Sequence, residues 1–126
     1  MNIQVGISIH TDAGNKFFGQ GPYCLLRGIQ QFGSLRASAQ SLGMSYTKAF
    51  QILRHAEMYC GFPLTQCKIG GEGGGGSILT VKGEELLLRY ESFRSSCTRM
   101  VGELYQKHFS DFWPQEPSID RLQKMR

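Results

Sequence analysis

Six of the seven residues from Gly70 to Gly76 are glycine, and this run limits the possible folds more than any other stretch of the chain. Such a segment cannot propagate a helix or supply side chains to a core, because glycine loses the most backbone freedom on ordering and has nothing to bury. It reads as an open loop whose backbone can lie close to a partner. Leu64 to Ile69 before it and Ser77 to Thr80 after it read as short strands, so the whole is a hairpin with a glycine tip. Gly71, Gly73 and Gly76 also satisfy G-x-G-x-x-G. A nucleotide loop is nevertheless disfavoured, because glycines this dense match by chance, no helix starts directly after them, and the Lys-Ser or Lys-Thr pair of a P-loop is missing at Ser77 and Ile78.

Upstream, GSLRASAQSLGMSYTKAFQILRHAEM, residues 33 to 58, reads as two short helices joined at Gly43. Ala39 is small enough to let them cross closely, and Gly43 supplies the backbone freedom that the turn requires. Leu35, Leu42 and Met44 are expected to face inward. In the second helix, 45–58, Ser45 is a natural N-cap, and Tyr46, Ala49, Phe50, Leu53 and Ala56 recur at helical spacing as a packing face. The opposite face carries Thr47, Lys48, Gln51, Arg54 and His55. Gln pairs with adenine edges, Arg with guanine, and Lys or Thr with phosphate oxygens. A helix-turn-helix followed by a hairpin is a winged helix, and this free face is its expected recognition surface in the major groove of double-stranded DNA. An ordinary helical hairpin with a solvated polar face is the plainer alternative.

Ahead of this unit, Ile3, Val5, Ile7 and Ile9 alternate with Gln4, Gly6, Ser8 and His10, the period of a half-buried strand. Turn chemistry from Asp12 to Asn15 leads into Lys16, Phe17 and Phe18, predicting an N-terminal β-hairpin. Pro22 opens a helix whose apolar stripe, Leu25, Leu26, Ile29 and Phe32, ends at Gly33. After the wing, Leu86, Tyr90, Phe93, Cys97, Met100 and Leu104 follow heptad spacing on a helix predicted over about 80–109. A seam this narrow suits pairing with the same helix of a second copy, with packing on its own domain as the plainer alternative. The expected fold class is therefore α+β: a winged helix-turn-helix with an N-terminal hairpin and a long C-terminal dimerisation helix. Residues 1–113 form the expected domain and 114–126 a polar tail.

The net charge is +4, and between Gly33 and Lys68 four cations (Arg36, Lys48, Arg54, Lys68) face one anion, Glu57, which suits a phosphate partner. Cys24, Cys60, Cys67 and Cys97 lack CxxC or tandem metal spacing. That pattern points to reduced thiols inside a cell, with no metal and no cofactor; His55, Cys60 and Cys67 lack a fourth ligand and a zinc pattern. No basic leader or membrane-length apolar run is read, so the expected location is cytoplasmic. No nucleophile and base pair is indicated around His10, His55 or His108, so an enzyme is not expected.

MSYTKAF and PLTQCKIGGEGGGGSILTVKGEELL together resemble the N-terminal DNA-binding domain of molybdate-responsive regulators of the ModE type, a winged helix related to that of LysR-type regulators. The resemblance covers roughly residues 3–95. It implies bacterial origin and operator binding as a homodimer, with the recognition helix on Ser45 to Met58, the wing on Lys68 to Ser77 and the dimerisation helix from Thr80 onward. Phe50 stands where that family commonly has Trp, Cys67 and Lys68 replace a more basic wing entry, and Glu72 occupies a place often held by Lys. The chain resembles the short, stand-alone members, so molybdate binding is not expected in it. The expected DNA contacts are Arg36, Ser45, Thr47, Lys48, Gln51, Arg54 and Lys68, with Gly73 and Gly74 at the wing tip on flanking backbone. The rival reading is a winged-helix protein-interaction module without DNA binding.

Overall fold

The computed structural model describes residues 2–68, 75–114 and 119–124. In chain order the elements are β1 (Ile9–His10), β2 (Lys16–Phe18), α1 (Gln20–Phe32), α2 (Leu35–Ser41), α3 (Tyr46–Cys60), β3 (Thr65–Lys68), β4 (Gly76–Leu79), α4 (Val81–Phe109) and α5 (Ile119–Lys124). This is the predicted α+β winged-helix class, with two antiparallel hairpins, β1–β2 and β3–β4. The wing tip, including Gly73 and Gly74, lies outside the described residues. Gly6–Ser92 forms one compact unit, and residues 1–5 with 93–126 form the other.

In the first unit, α1 buries Leu25, Leu26 and Ile29, and α2 crosses it at Gly28. The crossing is close: a Cβ on Gly28 would lie 2.0 Å from Ser38 Oγ and 2.7 Å from Ser38 Cβ. Ser38 is fully buried, and its hydroxyl donates to the Leu25 carbonyl at 2.8 Å, which satisfies the one polar group this contact hides. Helices α2 and α3 each open on a serine cap, Ser34 Oγ accepting from Ala37 N at 3.0 Å and Ser45 Oγ from Lys48 N at 3.1 Å. Between α2 and α3, Gly43 takes φ 69°, a left-handed conformation that a residue with a Cβ rarely adopts.

The wing is bound into this unit at its base. Its register runs from Thr65↔Leu79 to Lys68↔Gly76. Ser77 N donates to the Gly33 carbonyl at 2.9 Å, joining β4 to the corner between α1 and α2. Thr80 links wing to helix: its amide donates to Leu64 O at 3.0 Å, its hydroxyl donates to Pro63 O, and its Oγ1 accepts from Gly83 N at the start of α4. Leu64, Leu79, Leu87 and Tyr90 complete the core.

Several expectations are corrected. The strand expected from Ile3 to Ile9 is a ladder at Ile9–His10 alone, because β2 offers three residues of partner. Ile7 and Ile9 nevertheless pack on the core, so the alternation marked the buried side without marking a ladder. Phe32 and Leu42 are exposed, as are Tyr46 and Phe50 at 42% and 41%. Tyr90, expected in the dimer seam, is 3% exposed. It packs edge-on against Phe18 with ring centroids 5.1 Å apart, and its hydroxyl donates to Ile7 O. Leu86 also packs on this core. The first turns of α4 are thus spent on their own unit.

In the second unit, Phe93, Met100 and Leu104 are exposed and Cys97 is half-buried. At the end of α4, Phe109 stacks on Trp113 at 5.9 Å, and Trp113 Nε1 donates to the Tyr105 hydroxyl. The predicted polar tail contains the short helix α5. Among the described residues no helix is long and apolar enough to cross a membrane.

Candidate nucleic-acid interface

Helix α3 buries Ala49, Leu53 and Ala56, and at 100° per residue this turns Thr47, Gln51 and Arg54 directly outward. Thr47, Lys48, Gln51, Arg54 and His55 are all exposed. Ser45 is occupied as a cap acceptor, and its hydroxyl proton remains available to a phosphate. The structure brings these residues onto one surface with two flanks.

On the wing flank lies a groove of about 500 Å³, lined by Arg36, Tyr46, Phe50, Arg54 and Lys68 among others. The exposed rings of Tyr46 and Phe50 are the floor for two guanidinium groups. Arg36 lies over Tyr46 at 4.6 Å and Arg54 over Phe50 at 5.0 Å. A guanidinium above an aromatic face gains from the ring quadrupole while its N–H edge stays open to an anion. Arg54 also lies 3.8 Å from Glu57, which keeps its head toward the groove. Tyr46 and Phe50 have the spacing of a packing face and Arg54 is expected opposite them; the structure instead sets both rings at the surface as supports for arginine.

Glu57, the one anion between Gly33 and Lys68, has a structural role. Its Oε2 accepts from the Leu64 amide at 2.7 Å, joining the end of α3 to the base of the wing. Leu64 is fully buried, so its amide has no water to fall back on. Glu57→Ala is expected to cost about 2 kcal/mol through the orphaned amide, read as a lower urea midpoint; an unchanged midpoint would remove this tie from the account.

On the other flank, Lys48, Gln51 and His55 face Lys16 of β2 across a second cleft. Cys24, Cys60, Cys67 and Cys97 are free thiols. Burial pushes the Cys60 thiol up, and the nearby Glu57 carboxylate adds to the shift. Among the described residues, no group of three His, Cys, Asp or Glu side chains is placed to hold a metal ion.

No protein-family model matches the chain. It is 37% identical over 67 residues to the transcriptional regulator ModE of Haemophilus influenzae, covering 53% of this chain and 26% of that protein. It is 36% identical over 98 residues to the transcriptional regulator ModE of Yersinia pestis, covering 78% and 34%. Against the molybdenum-pterin-binding protein MopB of Rhodobacter capsulatus it is 30% identical over 77 residues, covering 61% and 28%. The chain thus spans about a quarter to a third of the length of these relatives. The resemblance to ModE-type regulators carried by the turn and wing motifs is borne out.

Proposed function

We propose that this chain is a sequence-specific, DNA-binding transcriptional regulator that works as a homodimer in the cytoplasm and is not an enzyme. The observation that carries the reading is the exposed face of α3, where Thr47, Lys48, Gln51 and Arg54 stand together beside a groove lined by Arg36 and Lys68. In this reading α3 enters the major groove, Gln51 and Arg54 meet base edges, and Arg36, Ser45, Thr47, Lys48 and Lys68 hold phosphates. Gly73 and Gly74 bring the wing backbone to the flanking strand. The similarity to ModE regulators supports the DNA-binding part of this proposal. No molybdate site is proposed in these residues.

The dimer is proposed to form along α4 through Phe93, Cys97, Met100 and Leu104. Phe93, Met100 and Leu104 are 56%, 59% and 53% exposed, an apolar row that water penalises unless a partner covers it. Leu86 and Tyr90 drop out of the seam because they serve the core.

The test is selection of bound duplexes from a random DNA pool at rising salt. Enrichment of an inverted repeat is expected, since a two-fold dimer presents two recognition helices. No enrichment at any salt would replace this reading with a protein-interaction module. Phe93→Asp is expected to give monomers by light scattering and to select half-sites only; a persistent dimer would place the interface elsewhere.

A further inference from the structure

The cleft between the N-terminal hairpin and α3, about 520 Å³, is lined by Lys16, Phe17, Lys48, Gln51, Ile52 and His55, with Gly21 and Pro22 of α1. Lys16 and Lys48 are cations and none of the lining side chains is acidic. The hairpin's acid, Asp12, lies in the turn and not among the lining residues.

The hairpin is held against α3 by specific contacts. His55 Nε2 donates to the Lys16 carbonyl at 3.0 Å. Phe17 and His55 both pack on Tyr59, with ring centroids 6.0 and 4.9 Å away. The Lys16 stem is guided as well: a Cβ on Gly19 would lie 3.2 Å from Lys16 Cε, so the absence of a side chain at 19 leaves the stem its path. The backbone at Lys16 is thereby held beside the recognition helix, with its exposed side chain lining the cleft.

The two clefts use different rows of α3. Tyr46, Phe50 and Arg54 line the wing groove, whereas Lys48, Ile52 and His55 line the hairpin cleft; at 100° per residue these rows diverge to either side of Thr47 and Gln51. A duplex taking α3 into its major groove has a phosphate strand along each edge of that groove. The wing would follow one edge, and the hairpin stands at the other.

We propose that the N-terminal hairpin is a second DNA-contacting arm, with Lys16 and Lys48 holding the phosphate backbone on the side of the recognition helix away from the wing and His55 anchoring the hairpin beside them. This rests on the DNA-binding reading above and adds a contact that the wing and recognition helix do not provide. The partner is duplex DNA through its phosphates, read without regard to base.

The experiment uses the selected duplex with wild type, Lys16→Gln and Lys16→Arg, measuring the slope of log affinity against log salt and the phosphates whose ethylation blocks binding. Lys16→Gln is expected to lower the slope by about 0.9 per bound protomer and to erase interference at phosphates on one flank, with base preference unchanged. Lys16→Arg is expected to restore both. Wild-type slope and interference in Lys16→Gln would overturn the arm while leaving the recognition helix in place. Failure of wild type to select any duplex would overturn the DNA-binding reading and the arm with it.

Discussion

Gly28→Ala is expected to lower the stability of the fold by about 3 kcal/mol, at the upper end of the usual cost of overfilling a packed core. In an isolated helix the same change would stabilise by about 1 kcal/mol, so the sign depends on the neighbour. Here the new methyl would meet Ser38 Oγ at 2.0 Å, Cβ at 2.7 Å and Cα at 3.1 Å. The hydroxyl cannot swing away without giving up its bond to Leu25 O, and Ser38 has no solvent to turn toward. Either α1 and α2 separate or the buried Ser38 hydroxyl goes unpaired. Ser38→Ala should rescue little, because the Cβ remains; Ser38→Gly should rescue more. Urea unfolding of the single and double variants reads this coupling directly. Equal midpoints for Gly28→Ala and wild type would show that α1 and α2 do not approach this closely.

Lys48→Glu and Arg54→Glu are each expected to weaken binding to the selected duplex by about 100-fold while leaving the dimer intact. That is the upper part of the range of about 1–3 kcal/mol for losing a single specific contact, because reversal also sets a carboxylate against phosphate. Arg54→Glu has a complication. Glu57 already lies 3.8 Å from the Arg54 guanidinium and holds the Leu64 amide, so a second carboxylate beside it threatens the base of the wing. Arg54→Gln separates the two effects: it removes the charge without setting acid against acid, and loss of binding at unchanged thermal stability would assign the effect to DNA. Unchanged retention by Lys48→Glu and by Arg54→Gln together would remove α3 from the proposed interface.

The elements that could be read from the sequence were those with local chemistry. Ser45 before a helical period, Gly43 in a turn and glycine between two β-prone segments each act within a few residues, and each signal corresponds to a feature of the structure. Pairing over distance was less legible. The alternation from Ile3 to Ile9 identified an inward side, but the length of β1 depended on three residues of β2. Apolar spacing was the least specific guide. Tyr46 and Phe50 have the period of a core face yet carry arginines at the surface. Tyr90 has the period of a dimer seam yet fills its own core, because a heptad records a stripe and not what covers it. Lys16 gave no signal at all, since its place beside Lys48 and His55 depends on how the hairpin folds back on α3.

The bond from Ser77 to Gly33 ties the base of the wing to the corner where α1 gives way to α2, and a Cβ on Gly76 would approach the Gly33 carbonyl to 2.5 Å. Two parts of the protein with different tasks therefore share a foundation. Drift in sequence at that foundation must satisfy both at once, whereas a change in the number or kind of residues between the strands need satisfy only one. In the proposed reading, a change of preference for flanking DNA is therefore expected to arise from residues between the strands, without altering the helices.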